Sequence, residues 1–327
     1  MLLLVGALFV GGLAAGIIVQ RLASSSGTTT TDKLNGTQVA APTQQVSTAT
    51  KKPPPAPNST TASAETTTEL APNAMASFEV LQRDLPGPIE VAVRPVSSSR
   101  VTVFGSDAPA HGWSTTKIPV IVALMRALGS RELSYEEQNE VHSAITESSN
   151  EAILSLFHAL EDLKGGLVAA SEAVEGELRA SGDPYTVVAT APPPPGAVTT
   201  FGQTEWAPEA ATLFFSALDA GCLLSPPRTR HILSLMQQIE PEESWGLGSA
   251  GFAHIAFKGG WGPEGDAYLV RQSGIIDPET PEAIAVAIIA HPPAGESSFA
   301  IGTEMLTKTA TWLRATVRPA PHTTACP

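Results

Sequence analysis

Apolar and polar positions between residues 71 and 318 follow periods of two and of about 3.6, which predict strands and helices respectively. Two short alternating runs, Pro88–Val96 and Arg100–Ser106, predict early strands joined by a serine turn. Three later runs predict further strands at 253–258, 267–276 and 283–290. Helical periodicity predicts eight helices, at 72–82, 114–128, 135–145, 150–160, 166–180, 208–220, 227–239 and 298–316. We therefore expect an α+β fold in which early and late strands form one antiparallel sheet, flanked by a helical subdomain.

The first 70 residues have a different pattern. Met1–Val19 carries no charge and nearly reaches the roughly 20 residues that span a bilayer. Residues 1–22 are therefore predicted to be a transmembrane anchor, with a cleaved signal segment as the alternative. Residues 23–70 are rich in Thr, Ser and Pro and lack bulky apolar side chains, so we expect a disordered stalk. Residues 71–327 form the predicted globular domain.

Composition narrows the class of protein. The 327 residues carry a net charge of −13, and Lys and Arg form no basic stripe, which excludes a general nucleic-acid binder. The seven histidines and two cysteines have no metal-ligand spacing, so no metal and no cofactor is expected. In an exported protein the even pair Cys222 and Cys326 predicts a disulfide.

The motif with most chemical content is Ser114-Thr115-Thr116-Lys117, at the start of the most apolar predicted helix. Residues three apart on a helix share a face, so the Lys117 amine is expected beside the Ser114 hydroxyl. A lysine whose pKa is lowered by burial can take the proton of a serine nucleophile. The bland alternative is a serine helix cap followed by a solvated lysine.

Two further motifs follow in order, Ser148-Ser149-Asn150 and Lys258-Gly259-Gly260. The order S-x-x-K, S-x-N, K-x-G resembles that of the class A β-lactamase-like and penicillin-binding serine hydrolases. The surrounding S-A-I-T-E-S-S-N-E-A and K-G-G-W-G-P-E-G are also similar to that family. The resemblance covers roughly 71–318 and implies the same α+β fold.

The resemblance also implies roles. Ser114 would be the nucleophile, Lys117 its base, Ser148 a proton relay, and Asn150 a ligand of Lys117 and of the substrate carbonyl. Lys258 would supply positive potential from an edge strand. Gly259, Gly260 and Trp261 would line the substrate, and the Ser114 and Trp261 amides would form the oxyanion hole.

The chain departs from the family pattern at three places. Ser149 stands where the family commonly has Asp, and Gly259 stands where a hydroxyl residue helps to bind the substrate carboxylate. No E-x-x-L-N lies between Ser148 and Lys258, so the glutamate that activates the deacylating water is missing. Glu205 is the one carboxylate near the expected position, in a context that does not match.

These observations predict an exported, membrane-tethered serine hydrolase that acts through a Ser114 acyl-enzyme on a peptide, amide or ester. A small peptide-like or β-lactam substrate is expected, with peptidoglycan as one candidate partner, and slow β-lactam turnover is expected. The alternative is a non-catalytic cell-envelope binding protein on the same fold, motivated by Ser149 and Gly259. The catalytic domain is placed outside the cytoplasm, bound to the cell membrane, or secreted if the first segment is cleaved.

Overall fold

The computed structural model describes residues 70–318 and residue 326. The predicted anchor at 1–22 and almost all of the predicted stalk at 23–70 lie outside these residues. None of the helices within the described residues is both long and apolar enough to span a membrane. Eight α-helices are described: α1 Ala74–Asp84, α2 Lys117–Ala127, α3 Tyr135–Thr146, α4 Asn150–Lys164, α5 Leu167–Ala180, α6 Pro208–Asp219, α7 Pro226–Met236 and α8 Ser298–Thr316.

Five strands form one antiparallel sheet, as predicted. The sheet consists of β1 Ile89–Pro95, β2 Thr102–Phe104, β5 Ile255–Glu264, β6 Ala267–Ile276 and β7 Ile284–Ala290, in the order β2-β1-β7-β6-β5. The early strand β1 pairs along its whole length with the last strand β7. β5 is therefore one of the two edge strands, the other being β2, and one side of its backbone has no strand partner in the sheet.

The central strand β7 shows why the sheet lies between helices. All seven of its residues are buried, and its run of Ile, Ala and Val lacks polar alternation. Such a strand needs an apolar layer on both faces. Helix α6 packs on one face, and α1 and α8 lie on the other, where Phe78 and Trp312 contact Phe104.

Helix α2 is the centre of the helical subdomain. Its residues from Lys117 to Met125 are all buried, and α3, α4 and α5 surround it. A helix that is apolar all round must be enclosed. This enclosure explains how a lysine at its first position is removed from water.

The structure corrects three predicted elements. Ser114 lies in a 3₁₀ turn, Trp113–Thr116, and the α-helix begins only at Lys117. β5 continues to Glu264, through the glycine-rich segment after Lys258. A second, two-stranded sheet pairs β3 Ala110–His111 with β4 Glu205–Trp206.

The predicted disulfide between Cys222 and Cys326 is confirmed, with Cα atoms 5.5 Å apart. It joins the connection between α6 and α7 to the C-terminal end of the chain.

Candidate active site

The turn that carries Ser114 is fixed by its neighbours. Thr115 Oγ1 donates to the Gly112 carbonyl at 2.5 Å, and Thr116 Oγ1 donates to the Trp113 carbonyl at 2.6 Å. Trp113 has a φ of 47°, a left-handed conformation that costs a non-glycine residue about 1–3 kcal/mol. The surrounding structure therefore holds the residue before Ser114 in a strained position, which directs the chain sharply into α2.

Lys117 is completely buried at the start of α2, directly after this turn. Its Nζ donates to the Ser148 carbonyl, lies 3.3 Å from the Ser149 carbonyl and 3.4 Å from Ser148 Oγ. Within the described residues no hydrogen bond joins the Ser114 hydroxyl to Lys117; the link between them is the Lys117 amide, which donates to the Ser114 carbonyl. The amine that we expected beside Ser114 thus contacts the S-S-N segment.

Lys258 approaches the same serine from the opposite side. It lies on β5, is completely buried, and donates through Nζ to Ser148 Oγ at 2.8 Å. Its other contacts are the Gly259 carbonyl at 3.2 Å and Glu243 Oε2 at 3.6 Å. The lysines of the first and third motifs thus converge on Ser148, the first residue of the second motif.

Burial controls the charges of these groups. Desolvation, followed by the charge of Lys258, lowers the pKa of Lys117 to about 6, while Glu243 opposes the shift. Desolvation lowers the pKa of Lys258 to about 8, again opposed by Glu243. At neutral pH Lys117 is therefore a neutral amine and Lys258 an ammonium ion. A neutral amine has two N–H groups, and the two carbonyls can take both, which leaves the lone pair of Lys117 available as a base.

The S-S-N segment is shaped by its backbone. Ser148 has a φ of 56°, a second strained position, and Ser149 caps α4 by accepting from the Ala152 amide at 3.2 Å. Serine is a good N-cap, so Ser149 supplies the structural role without a carboxylate. Asn150 is exposed, and no hydrogen bond from its side chain is formed within the described part of the chain. Main-chain carbonyls take the place on Lys117 that we expected for its amide.

Strand β5 runs along the Ser114 turn. A Cβ on Gly260 would lie 2.8 Å from the Ser114 nitrogen, so only glycine allows this approach. Gly262, two residues on, packs in the same way against the Trp113 indole. Trp261 points to the other face and packs on Trp245 and Phe299. The strand therefore brings the Trp261 backbone close to the Ser114 turn, whereas the oxyanion hole itself stays a prediction.

The two-stranded sheet before Ser114 is attached to the main sheet by Arg271. This buried guanidinium donates through Nη1 to the carbonyls of Ala110, His111 and Trp206 at 3.0–3.2 Å. His111 also pairs with Glu264 at the end of β5, with 2.5 Å between Nδ1 and Oε1. The segment directly before the Ser114 turn is thus connected to β5 and β6.

Glu205 does not take the place of the missing base. It is exposed on β4, and within the described residues its carboxylate forms no hydrogen bond or ion pair with Ser114, Ser148, Lys117 or Lys258. It lines a separate cavity of about 720 Å³ together with Asp107, Asp183 and Glu209.

Glu243 is the site residue that the sequence analysis missed. It lies on a 3₁₀ turn, Pro241–Glu243, and its side chain is mostly buried beside Lys258. Burial raises its pKa, while Lys258 and Lys117 act in the opposite direction. The P-E-E-S-W context has no motif that would single it out, because its role depends on a tertiary contact with a strand 12 residues later.

Comparison with known proteins gives a clear result for the fold. No family model and no curated protein matches the sequence. Among solved structures, the chromosome-encoded β-lactamase of Vibrio parahaemolyticus is 16% identical with a TM-score of 0.58, over 74% of this chain and 98% of that one. A β-lactamase from Burkholderia vietnamiensis is 17% identical with a TM-score of 0.55, over 74% and 96%. A mutant class A β-lactamase of the last common ancestor of Gram-negative bacteria is 19% identical with a TM-score of 0.56, over 74% and 97%. The chain therefore has the fold of the class A β-lactamases.

Proposed function

We propose that this chain is a serine hydrolase that transfers an acyl group through a covalent Ser114 intermediate. The observation that carries the proposal is the convergence of the buried Lys117 and Lys258 side chains on Ser148, beside the Ser114 turn. Holding two lysines out of water is costly for stability, and such groups cluster where their pKa values serve chemistry. A binding protein on the same fold has no comparable need for a neutral lysine.

The acylation step follows from these groups. Ser114 Oγ bonds to the carbonyl carbon of an amide, ester or β-lactam, and its proton passes to the lone pair of Lys117. The bond from that carbon to the leaving nitrogen or oxygen then breaks. Ser148 lies between both lysines and can return the proton to the leaving atom. The partly positive N-terminus of α2 favours the developing oxyanion and the neutral form of Lys117.

Deacylation is expected to be slow. A water molecule must be activated next to the acyl carbonyl, and the chain lacks the family's glutamate for this task. A general base typically contributes about 10²–10⁴-fold to such a step. We therefore propose poor β-lactam turnover and a long-lived acyl-enzyme, with a β-lactam or a peptide of peptidoglycan type as the substrate.

The test is intact-mass spectrometry after mixing with benzylpenicillin. We expect one added acyl group that maps to Ser114 and persists for many minutes after excess penicillin is removed. The Ser114→Ala variant serves as the control and should gain no mass. A wild type that never gains mass would favour the binding-protein alternative, and rapid multiple turnover would overturn the proposal of slow deacylation.

We also propose that the domain works outside the cytoplasm, tethered by residues 1–22 through the stalk at 23–70. The uncharged run Met1–Val19 supports the tether, and the Cys222–Cys326 disulfide supports an oxidising compartment. The full chain should remain in the membrane pellet after an alkaline carbonate wash and be digested by protease added outside the cells. Release into the medium with a new N-terminus would show that the first segment is cleaved.

A further inference from the structure

A carboxylate stands beside the one charged lysine of the site. Glu243 Oε2 lies 3.6 Å from Lys258 Nζ, and Lys258 has no exposed surface. Among the described residues, Glu243 is the only acidic side chain in an ion pair with Lys258. The positive potential that a bare Lys258 would present to an approaching substrate is therefore offset at close range.

Gly259, the next residue on β5, offers a bound anion no side-chain hydrogen-bond donor. Gly259 has no side chain, and a Cβ there would already lie 3.1 Å from the Trp245 ring. The Trp245 indole therefore occupies the space where a hydroxyl could have donated a hydrogen bond. A substrate carboxylate placed beside Lys258 would face the Glu243 charge and an aromatic surface.

Lys117, the second lysine of the site, adds no positive charge that could attract a substrate carboxylate. Lys117 uses its N–H groups on the Ser148 and Ser149 carbonyls and is uncharged at neutral pH. Lys258 is then the positively charged lysine of the site, and Glu243 is the acidic side chain that pairs with it. Like charges at close range weaken binding strongly in a site shielded from water.

We propose that Glu243 makes this site select acyl donors that carry no negative charge next to the scissile bond. The site then prefers neutral or ammonium-bearing esters and amides over esters and amides that carry a carboxylate. This inference rests on the proposed acyl-enzyme chemistry at Ser114. It names the substrate class: an amidated or esterified peptide-like donor, or one with a free amine that Glu243 can hold.

A matched pair of acyl donors tests the selectivity. Benzylpenicillin carries a carboxylate and benzylpenicillin methyl ester does not, while the reacting β-lactam is the same. The second-order rate constant for acylation of Ser114 is measured for both by intact-mass spectrometry at low salt. The wild type is expected to react at least about tenfold faster with the methyl ester, because only the carboxylate meets the Glu243 charge.

Glu243→Gln removes the negative charge and nearly keeps the shape. It should shift the ratio of the two rate constants at least about tenfold toward the carboxylate. Glu242→Gln is the matched control, because Glu242 is the exposed neighbour on the same turn, and its ratio should equal that of the wild type.

The outcomes are distinguishable. If neither donor acylates the wild type, the acyl-enzyme proposal fails and the inference with it. If both donors acylate Ser114 but the wild type prefers the carboxylate, the acyl-enzyme proposal stands and the role of Glu243 is refuted. The comparison of the two donors on the wild type tests the role of Glu243 even if the Glu243→Gln variant does not fold. An unchanged ratio in a folded Glu243→Gln variant would likewise overturn the inference.

Discussion

The Ser148 hydroxyl accepts a 2.8 Å hydrogen bond from Lys258, although 110 residues separate them in the chain. Ser148 comes from the strained connection between α3 and α4, and Lys258 from the edge strand of the sheet. Their contact joins the helical subdomain to the sheet beside the buried Lys117. Because Lys258 is positive, Ser148 Oγ is an acceptor toward it and keeps its own proton available for a leaving group.

Ser148→Ala should therefore slow acylation without removing the nucleophile. The variant removes the Ser148 hydroxyl that accepts from Lys258, and with it the proposed proton relay. We expect the acylation rate with benzylpenicillin methyl ester to fall about 10²–10⁴-fold, with the adduct still on Ser114. A variant that reacts within threefold of the wild type would exclude Ser148 from proton transfer.

The rate of acylation should have a bell-shaped dependence on pH. Below about pH 6 Lys117 gains a proton and loses the lone pair that acts as a base, so the rate falls toward acid. Above about pH 8 Lys258 loses its charge, so the rate falls again. Because Lys117 and Lys258 interact, the two apparent pKa values of this profile describe the pair of lysines together.

The alkaline limb can be assigned with Lys258→Arg. Arginine stays charged, so this variant should lose the decline above pH 8 while keeping the acid limb. The measurement is the second-order acylation constant between pH 5 and 10. A profile that is flat from pH 5 to 9 would contradict both assignments.

The fold could be predicted largely because its elements have local patterns. The run Ile284–Ala290 is apolar throughout, and α2 is apolar on all sides. Both patterns therefore predict buried elements. The start of α2 was misplaced because Ser114, Thr115 and Thr116 are compatible with either helical geometry. The tertiary contact with Gly260 and the hydrogen bonds of the Thr115 and Thr116 hydroxyls stabilise a 3₁₀ turn instead of an α-helix.

The site was predicted only in part because its contacts are not local. The three motifs identified Ser114, both lysines and Ser148, which the structure places in neighbouring segments. The sequence had no signal for Glu243, and none for β3 and β4, two-residue strands that pair across about 95 residues. The spacing of Ser114 and Lys117 also suggested a direct contact, whereas the buried amine lies toward the Ser148 and Ser149 carbonyls.

The disulfide should contribute strongly to stability. It closes a loop with a sequence separation of 104 residues, and a loop of about 100 residues corresponds to roughly 4.7 kcal/mol of chain entropy in the unfolded state. Cys222→Ser should lower the free energy of unfolding by about 2–5 kcal/mol in urea titrations. Reduction of the wild type should produce the same loss, and the variant should not respond to reductant.

Lys117→Met should stabilise the protein while abolishing acylation. The folded-state pKa of Lys117 is lowered from 10.5 to about 6, so the folded state binds fewer protons than the unfolded state between these values. The lysine therefore costs stability increasingly as pH falls from about 10.5 to 6. We expect a gain of about 1–3 kcal/mol at pH 7 that shrinks toward pH 10. Lys308→Met, on the exposed side of α8, is the control and should show no pH-dependent gain.

Gly260→Ala tests whether β5 must lie against the nucleophile. The new methyl group would stand 2.8 Å from the Ser114 nitrogen and 3.0 Å from the Thr115 nitrogen, and both are backbone atoms that cannot rotate away. The strand or the turn must shift, and a misplacement of about 1 Å can cost about 10²-fold in rate. Gly176→Ala is the matched control: it lies in α5 with open space around its Cβ position and should gain about 0.5–1 kcal/mol of stability. We expect the Gly260 variant to lose at least a hundredfold in acylation rate, measured by intact-mass spectrometry, while the Gly176 variant reacts like the wild type. Equal rates in the two variants would mean that the substrate does not depend on the contact between β5 and Ser114.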